Sequence, residues 1–221
     1  MAAGQLDLFA PAPALPPGFR HWDEAVPREE ERALLEAFAA LDFAAFAFHG
    51  HFGRRRVVSF GRAYDFEREA LREAPPIPPV LLALRGRVAV LAGLAPQTLS
   101  QALVTEYPPG AAIGWHRDKA AFGDVLGVSL GAPCLFRLRR RAGASWQRAS
   151  LRLEPRSAYL LQGPARAEWE HSIPPVEGLR HSVTSAPCAA PDAGHSFSRF
   201  GREAAVERTP PGCLLHPRER T

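Results

Sequence analysis

Apolar runs long enough to cross a membrane are missing. Nowhere do the 221 residues approach the roughly 20 consecutive apolar positions of a spanning helix, and no charged segment followed by an apolar core opens the N-terminus. Cysteine is scarce: Cys134, Cys188 and Cys213 stand far apart with no CxxC pair, which argues against a disulfide framework or a thiolate zinc site. Both absences fit a cytoplasmic protein with no membrane contact. There is no large charge excess either; a formal +4 is compatible with a polyanionic partner and also ordinary for an Arg-rich chain. What the sequence does have is apolar mass, 46% of its residues, enough for a full core, so a single domain acting as a monomer is the expectation.

Residues 1–18 carry Pro11, Pro13, Pro16 and Pro17 among small residues, a composition suited to neither ladder nor helix, and read as a loose arm. Order is expected from Phe19. Pro27, the acidic run Glu29 to Glu31, and the spacing of Leu34, Leu35, Phe38 and Leu41 predict an amphipathic helix. A second helix is expected over Phe66 to Glu73, stopped by Pro75 and Pro76, and a third from Val80 to about Leu91, ended by Gly93. From Gln101 the pattern changes to short strand-forming runs, Ala102 to Tyr107, Val125 to Leu130, Cys134 to Leu138 and Ala158 to Leu161. Helices first and strands after predict an α+β domain over 19–184 in which helices support one sheet of a β-sandwich. Residues 185–221 show neither period-2 nor period-3.6 patterning and are expected to be disordered.

The chemistry is concentrated in WHRD, which follows the strand-and-turn pattern YPPGAAIG. His116 and Asp118, two apart on a strand, point to one face, and with a second imidazole they complete a facial triad with open positions, the arrangement of non-heme Fe(II) oxygenases. His171 in WEHSI is the candidate third ligand. A bare HxD is weak evidence, and His21 and Asp23 repeat the spacing here. Their place beside the Pro-rich arm, ahead of the first helix, sets them apart, whereas His116 is followed by a distal His and then Arg180. His49, His51, His181, His195 and His216 read as surface or core residues.

In that order, RRVVSFGRAYDF, PIPPVLLAL, EYPPGAAIGWHRD, VSLGAPCLFRL, GPARAEWEHSI and GLRHSVT resemble the AlkB family of Fe(II)- and 2-oxoglutarate-dependent dioxygenases over about residues 54–184. The resemblance implies a double-stranded β-helix (jelly-roll) core with supporting N-terminal helices, iron on His116, Asp118 and His171, and 2-oxoglutarate held by Tyr107 and Arg180, the latter by paired charge-assisted hydrogen bonds. It places Ser182 and Thr105 beside the cosubstrate, Thr105 standing where many members have Asn. It puts Phe60, Arg62 and Tyr64 in a lid over a substrate base. The family pattern continues after Arg180 to a second Arg, but Ser185 and Ala186 occupy that stretch, which implies weakened catalysis. Codons for Ser-Ala-Pro-Cys-Ala-Ala permit Phe-Arg-Thr-Leu-Arg-Arg in the neighbouring frame, so a single-nucleotide shift after Thr184 would explain both the departure and the unpatterned tail. A divergent C-terminus is the alternative.

The reaction implied is oxidation of 2-oxoglutarate by O2 to succinate and CO2, coupled to hydroxylation of an N-methyl group and loss of formaldehyde. Its substrate would be an alkylated base in DNA or RNA, single-stranded or flipped out, in nucleic-acid repair. The basic runs Arg54 to Arg56 and Arg139 to Arg141 read as solvated loop faces, the first also a candidate for phosphate contact. The rivals are the same oxygenase chemistry on a protein or small molecule, and a remnant that binds metal or nucleic acid without turnover.

Overall fold

The computed structural model describes residues 14–48 and 51–188. In chain order the elements are β1 (Phe19–Trp22), α1 (Arg28–Ala39), β2 (Ala44–Phe48), β3 (His51–Phe60), β4 (Arg62–Asp65), β5 (Ala70–Glu73), α2 (Pro79–Ala92), β6 (Gln101–Tyr107), β7 (Ile113–His116), β8 (Val125–Gly131), β9 (Cys134–Ala142), β10 (Ser145–Leu153), β11 (Ala158–Leu161), α3 (Gly163–Ala167), β12 (Glu170–Ile173) and β13 (Arg180–Ala186).

The two long helices form where the sequence predicts them. In α1, Glu29, Glu30 and Glu31 lie in the first turn and Leu34 and Phe38, one turn apart, are buried. In α2, Leu81, Leu84 and Val88 are buried, and Gly93 closes the helix in the left-handed region (φ 71°) with the Leu94 amide donating to the Ala89 carbonyl at 2.8 Å. Both pack on one face of a seven-stranded sheet ordered β1-β11-β8-β13-β6-β3-β2, and that layer includes Phe60, Val104, Val128 and Val183. A second core lies between this sheet and a four-stranded one ordered β10-β9-β12-β7, with Tyr107, Val125 and Tyr159 from the first meeting Phe136, Leu138 and Leu153 from the second. Two antiparallel sheets face to face with helices on one outer side make the expected jelly roll.

The predicted helix over 66–73 is instead the hairpin β4–β5, with Tyr64 opposite Leu71. Asp65 explains the turn: its Oδ1 accepts the amides of Glu67 and Arg68, both at 3.0 Å, and Glu69 takes φ 50°. Phe66 and Leu71 are five apart, so a helix here would have no apolar stripe to bury. Gly61 (φ 71°) anchors the hairpin where a Cβ would meet the Ser100 carbonyl oxygen at 2.2 Å, and its amide donates to Pro75 at 2.7 Å.

The boundaries at 18 and 184 also shift. Pro16 is buried, Leu15 packs on the inter-sheet core, and the Phe19 amide donates to the Pro16 carbonyl at 2.9 Å, so the arm's last residues belong to the fold. At the other end β13 runs through Ser185 and Ala186, paired with Ala102 and Gln101, and Cys188 bridges Phe122. The rest of the expected arm and tail, 1–13 and 189–221, lies outside the described residues. Among the described residues no helix is long and apolar enough to cross a membrane.

Candidate metal and cosubstrate site

β7 and β12 are antiparallel neighbours, and their register sets His116 directly opposite His171 with ring centroids 4.2 Å apart. β7 ends at His116, so Asp118 lies in the following loop, not on a strand as the spacing suggests. Its Oδ1 sits 3.8 Å from Nε2 of both histidines, and the ligand atoms of all three residues lie within 4.8 Å of one another. Ligand bonds of about 2.0–2.2 Å at right angles put donors about 3 Å apart, so a small side-chain rotation closes the set on one ion. It is the one such cluster among the described residues. His21 and Asp23 lie 3.6 Å from each other and, among the described residues, join no third ligand group.

The surroundings prepare these ligands. His116 Nδ1 lies 2.9 Å from the Gly114 carbonyl oxygen, which can only accept, so Nδ1 carries the proton and Nε2 offers its lone pair. The His171 ring stacks on Phe136, and burial lowers its pKa to about 4, keeping the imidazole neutral near pH 7. The Asp118 loop is tied down by Arg166 from α3, whose guanidinium donates to the carbonyls of Gly123 (2.9 Å), Asp118 (3.2 Å), Lys119 (2.8 Å) and Phe122 (2.8 Å).

A stability prediction follows from His171. Its folded pKa of about 4 is below the ordinary 6.5, so between these values the unfolded chain takes up a proton that the folded one refuses. Stability of the metal-free protein is therefore full above about pH 6.5 and falls as pH drops towards 4, by up to about 3 kcal/mol. His181, also depressed by burial, works in the same direction. Urea denaturation across that window reads the loss; a flat profile would contradict the burial argument.

β13 lies beside β6, pairing Arg180 with Tyr107 and Ser182 with Thr105. All four are buried and share the inward face of the large sheet. Arg180 is 1% exposed; Nε donates to Ser129 Oγ at 3.1 Å, and the guanidinium lies 4.8 Å from the centroid of the Tyr107 ring. Its Nη1 is buried with no acceptor. A buried guanidinium nitrogen left unpaired is costly, and a carboxylate is the kind of acceptor that would satisfy it.

Of the three residues expected to form a lid, Tyr64 borders a cavity of about 260 Å³ that also reaches Phe66, Ser59, Asp118, Lys119 and Ala186. Tyr64 and Phe66 meet edge to face at 5.2 Å, and Lys119 Nζ lies 5.0 and 5.2 Å from their ring centres. Phe60 is not there: it is buried in the layer against the helices. Arg62 is drawn to Glu73 at 3.8 Å and does not line the cavity.

The run Arg54 to Arg56 lies in strand β3, not a loop, and splits by face. Arg56 is held by Glu106 at 2.6 Å, which reduces what it can give a phosphate. Arg55 turns inward and hydrogen-bonds Tyr107; burial pulls its pKa down, opposed by Tyr107 and the charge of Asp118. Phe66, Lys119 and Arg166 were absent from the sequence-predicted site, and Arg55 entered it only as a candidate for phosphate contact. For Lys119 a signal existed, since it is the chain's only lysine and adjoins the HxD.

Comparison with known proteins agrees with this geometry. The profile of the 2OG-Fe(II) oxygenase superfamily matches residues 41–193. The Arabidopsis thaliana alkylated DNA repair protein ALKBH8 homolog is 30% identical over 182 residues, covering 72% of this chain and 51% of that protein. Mouse tRNA (carboxymethyluridine(34)-5-O)-methyltransferase ALKBH8 is 29% identical over 168 residues, 73% of this chain and 25% of that protein. The chain thus spans about half of one relative and a quarter of the other. The solved structure of OsALKBH1 superposes with a TM-score of 0.65 at 14% identity over 80% of this chain and all of that one, a likeness of fold. With an open His-Asp-His cluster inside a jelly roll, the chain belongs to the 2OG-Fe(II) oxygenase superfamily as an AlkB-family member, whose cofactor is Fe(II) and whose cosubstrates are 2-oxoglutarate and O2.

Proposed function

We propose that the chain removes N-alkyl groups oxidatively from bases of single-stranded or flipped-out nucleic acid. The observation that carries this reading is the open cluster of His116, Asp118 and His171 beside a buried Arg180 that lacks an acceptor, with Tyr64, Phe66 and Lys119 around the adjoining cavity. The names of the relatives, one a repair protein for alkylated DNA and the other a tRNA-modifying enzyme, support nucleic acid as the substrate class.

When bound, Fe(II) with 2-oxoglutarate and O2 supplies the oxidising power to hydroxylate an N-methyl carbon, 2-oxoglutarate leaving as succinate and CO2 and the hydroxymethyl group as formaldehyde. The protein's residues do the positioning. His116, Asp118 and His171 hold three positions and leave the others open. Arg180 grips the distal carboxylate with its planar fork over Tyr107, while Ser182 and Thr105 border the cosubstrate on the adjoining rung. Tyr64 and Phe66 offer rings to the base, and Lys119 holds a positive charge against them.

Incubation with a single-stranded oligonucleotide bearing one N-methylated base should release succinate and formaldehyde in equal amounts and leave the unmodified base. Succinate turnover with no demethylation of any oligonucleotide would move the reading to a protein or small-molecule substrate. No succinate under any condition would favour a binding remnant, the outcome to which Ala186 at the second family Arg position points.

A further inference from the structure

The run Arg139 to Arg141 is not a loop: it lies in β9, and its neighbours build a cationic face on the outer side of the small sheet. Phe136 and Leu138 turn inward, so Arg137, Arg139 and Arg141 turn outward, two residues apart and therefore about 6.7 Å from one to the next. Across the hairpin, β10 sets Arg148 directly opposite Arg139 and Trp146 opposite Arg141. Two like charges facing each other across a sheet cost stability, and no fold requirement calls for them here.

Indole rings pack against the guanidiniums of β9. Arg139 lies between Trp115 and Trp146, 4.4 and 4.3 Å from their ring centres, with Arg137 on Trp115 at 5.0 Å and Arg141 on Trp146 at 5.4 Å. A cleft of about 350 Å³ opens at this end, bordered by Arg139 to Arg141, Trp146, Arg117, Glu168 and Glu170. The glutamates match Arg139 and Arg140 only. Among the described residues no carboxylate pairs with Arg117, Arg137, Arg141 or Arg148, an uncompensated charge as large as the formal +4 of the whole chain.

The cleft's position ties it to the reaction. Arg117 lies between His116 and Asp118, and it lines this cleft while they converge on the metal cluster. Glu170 pairs with Arg139 one residue from His171, so the cleft is at the same end of the small sheet as the cluster, behind it.

We infer that the Arg117, Arg139, Arg141, Arg148 and Trp146 face is a second nucleic-acid contact, a track for the phosphates of the single strand flanking the reacting base. The inference rests on nucleic acid being the substrate. Arg139 and Arg141, packed on the Trp146 indole, would present their guanidiniums to successive phosphates with less rotamer freedom to lose on binding, and Arg117 and Arg148 add charge beside them. Trp146, half-buried at the border of the cleft, offers a flanking base aromatic contact surface.

The test measures fluorescence anisotropy of a labelled, unmodified single-stranded oligothymidylate of about 15 nucleotides over a range of salt. The variants are Arg141→Glu with Arg148→Glu, Trp146→Ala, and a control with the same charge change on α1, Arg28→Glu with Arg32→Glu. Thermal midpoints establish that each is folded. At about 0.1 M salt the first variant should bind at least about tenfold more weakly, its log–log salt slope shallower by about 1.4, and Trp146→Ala should lose affinity with its slope kept. The control should stay close to wild type. Equal affinity in all variants, equal loss in the control, or tighter binding of duplex than of single strand would overturn the track. A wild-type chain that binds no nucleic acid at low salt would instead overturn the proposed substrate.

Discussion

Asp118→Ala is expected to cut 2-oxoglutarate turnover by more than about 100-fold and to lower Fe(II) affinity at least as much, because it removes the only anionic ligand of the cluster. Two neutral imidazoles remain on adjacent strands, and they neither offset the ion's charge nor cap the third corner. The fold should survive. Arg166 holds the loop through the main-chain carbonyl of Asp118, not its carboxylate, and that carbonyl is unaffected by the substitution. Metal titration with succinate release separates the outcomes: a variant that folds, binds Fe(II) normally and turns over would remove Asp118 from the ligand set. Asp23→Ala is the matched control. It breaks the pair with His21 in the other HxD and should leave metal affinity unchanged.

Much of this site was legible in the sequence because it rests on order and short spacing. His116 and Asp118 are two apart, and a distal His on the neighbouring strand needs only antiparallel pairing to meet them. The helices were legible because α1 carries an acidic first turn and an apolar face, Leu34 with Phe38, and α2 a stop signal at Gly93. Parity was not legible. In RRR three identical residues alternate faces, and only the register of β3 on β6, Val57 opposite Thr105, sends Arg55 to the side of Tyr107 and Phe60 to the helices. β10 went unread for a related reason: Ala149, Leu151 and Leu153 alternate with Arg and Ser, but Ala and Ser dilute the signal that a run of large β-branched residues would give. The 66–73 segment shows tertiary pairing and an Asp turn prevailing over Glu and Arg helix propensity. Ala186 stands on the cavity side of β13, so a guanidinium at the second Arg position that the family resemblance implies would face the cavity. Arg55, beside Tyr107 and within the field of Asp118, carries positive charge to the same interior from a different strand.

The second large effect concerns Arg180. Its side chain is 1% exposed, one nitrogen is spent on Ser129, and Nη1 faces the interior unpaired, so folding alone leaves part of its hydrogen-bonding capacity unmet. 2-Oxoglutarate should therefore stabilise the protein by mass action, and with a redox-inert divalent ion present its addition should raise the thermal midpoint. Arg180→Lys keeps the charge but replaces the planar fork by a point donor, losing about one charge-assisted hydrogen bond of roughly 2 kcal/mol, or about 30-fold in 2-oxoglutarate affinity. The ammonium also cannot lie as a flat plane over the Tyr107 ring. The expected pattern is a large rise in the KM for 2-oxoglutarate, a ligand-induced thermal shift that nearly vanishes, and Fe(II) binding as in the wild type, since His116, Asp118 and His171 are untouched. An unchanged thermal shift in Arg180→Lys would mean that the dicarboxylate is held elsewhere and that the buried guanidinium has a structural role only.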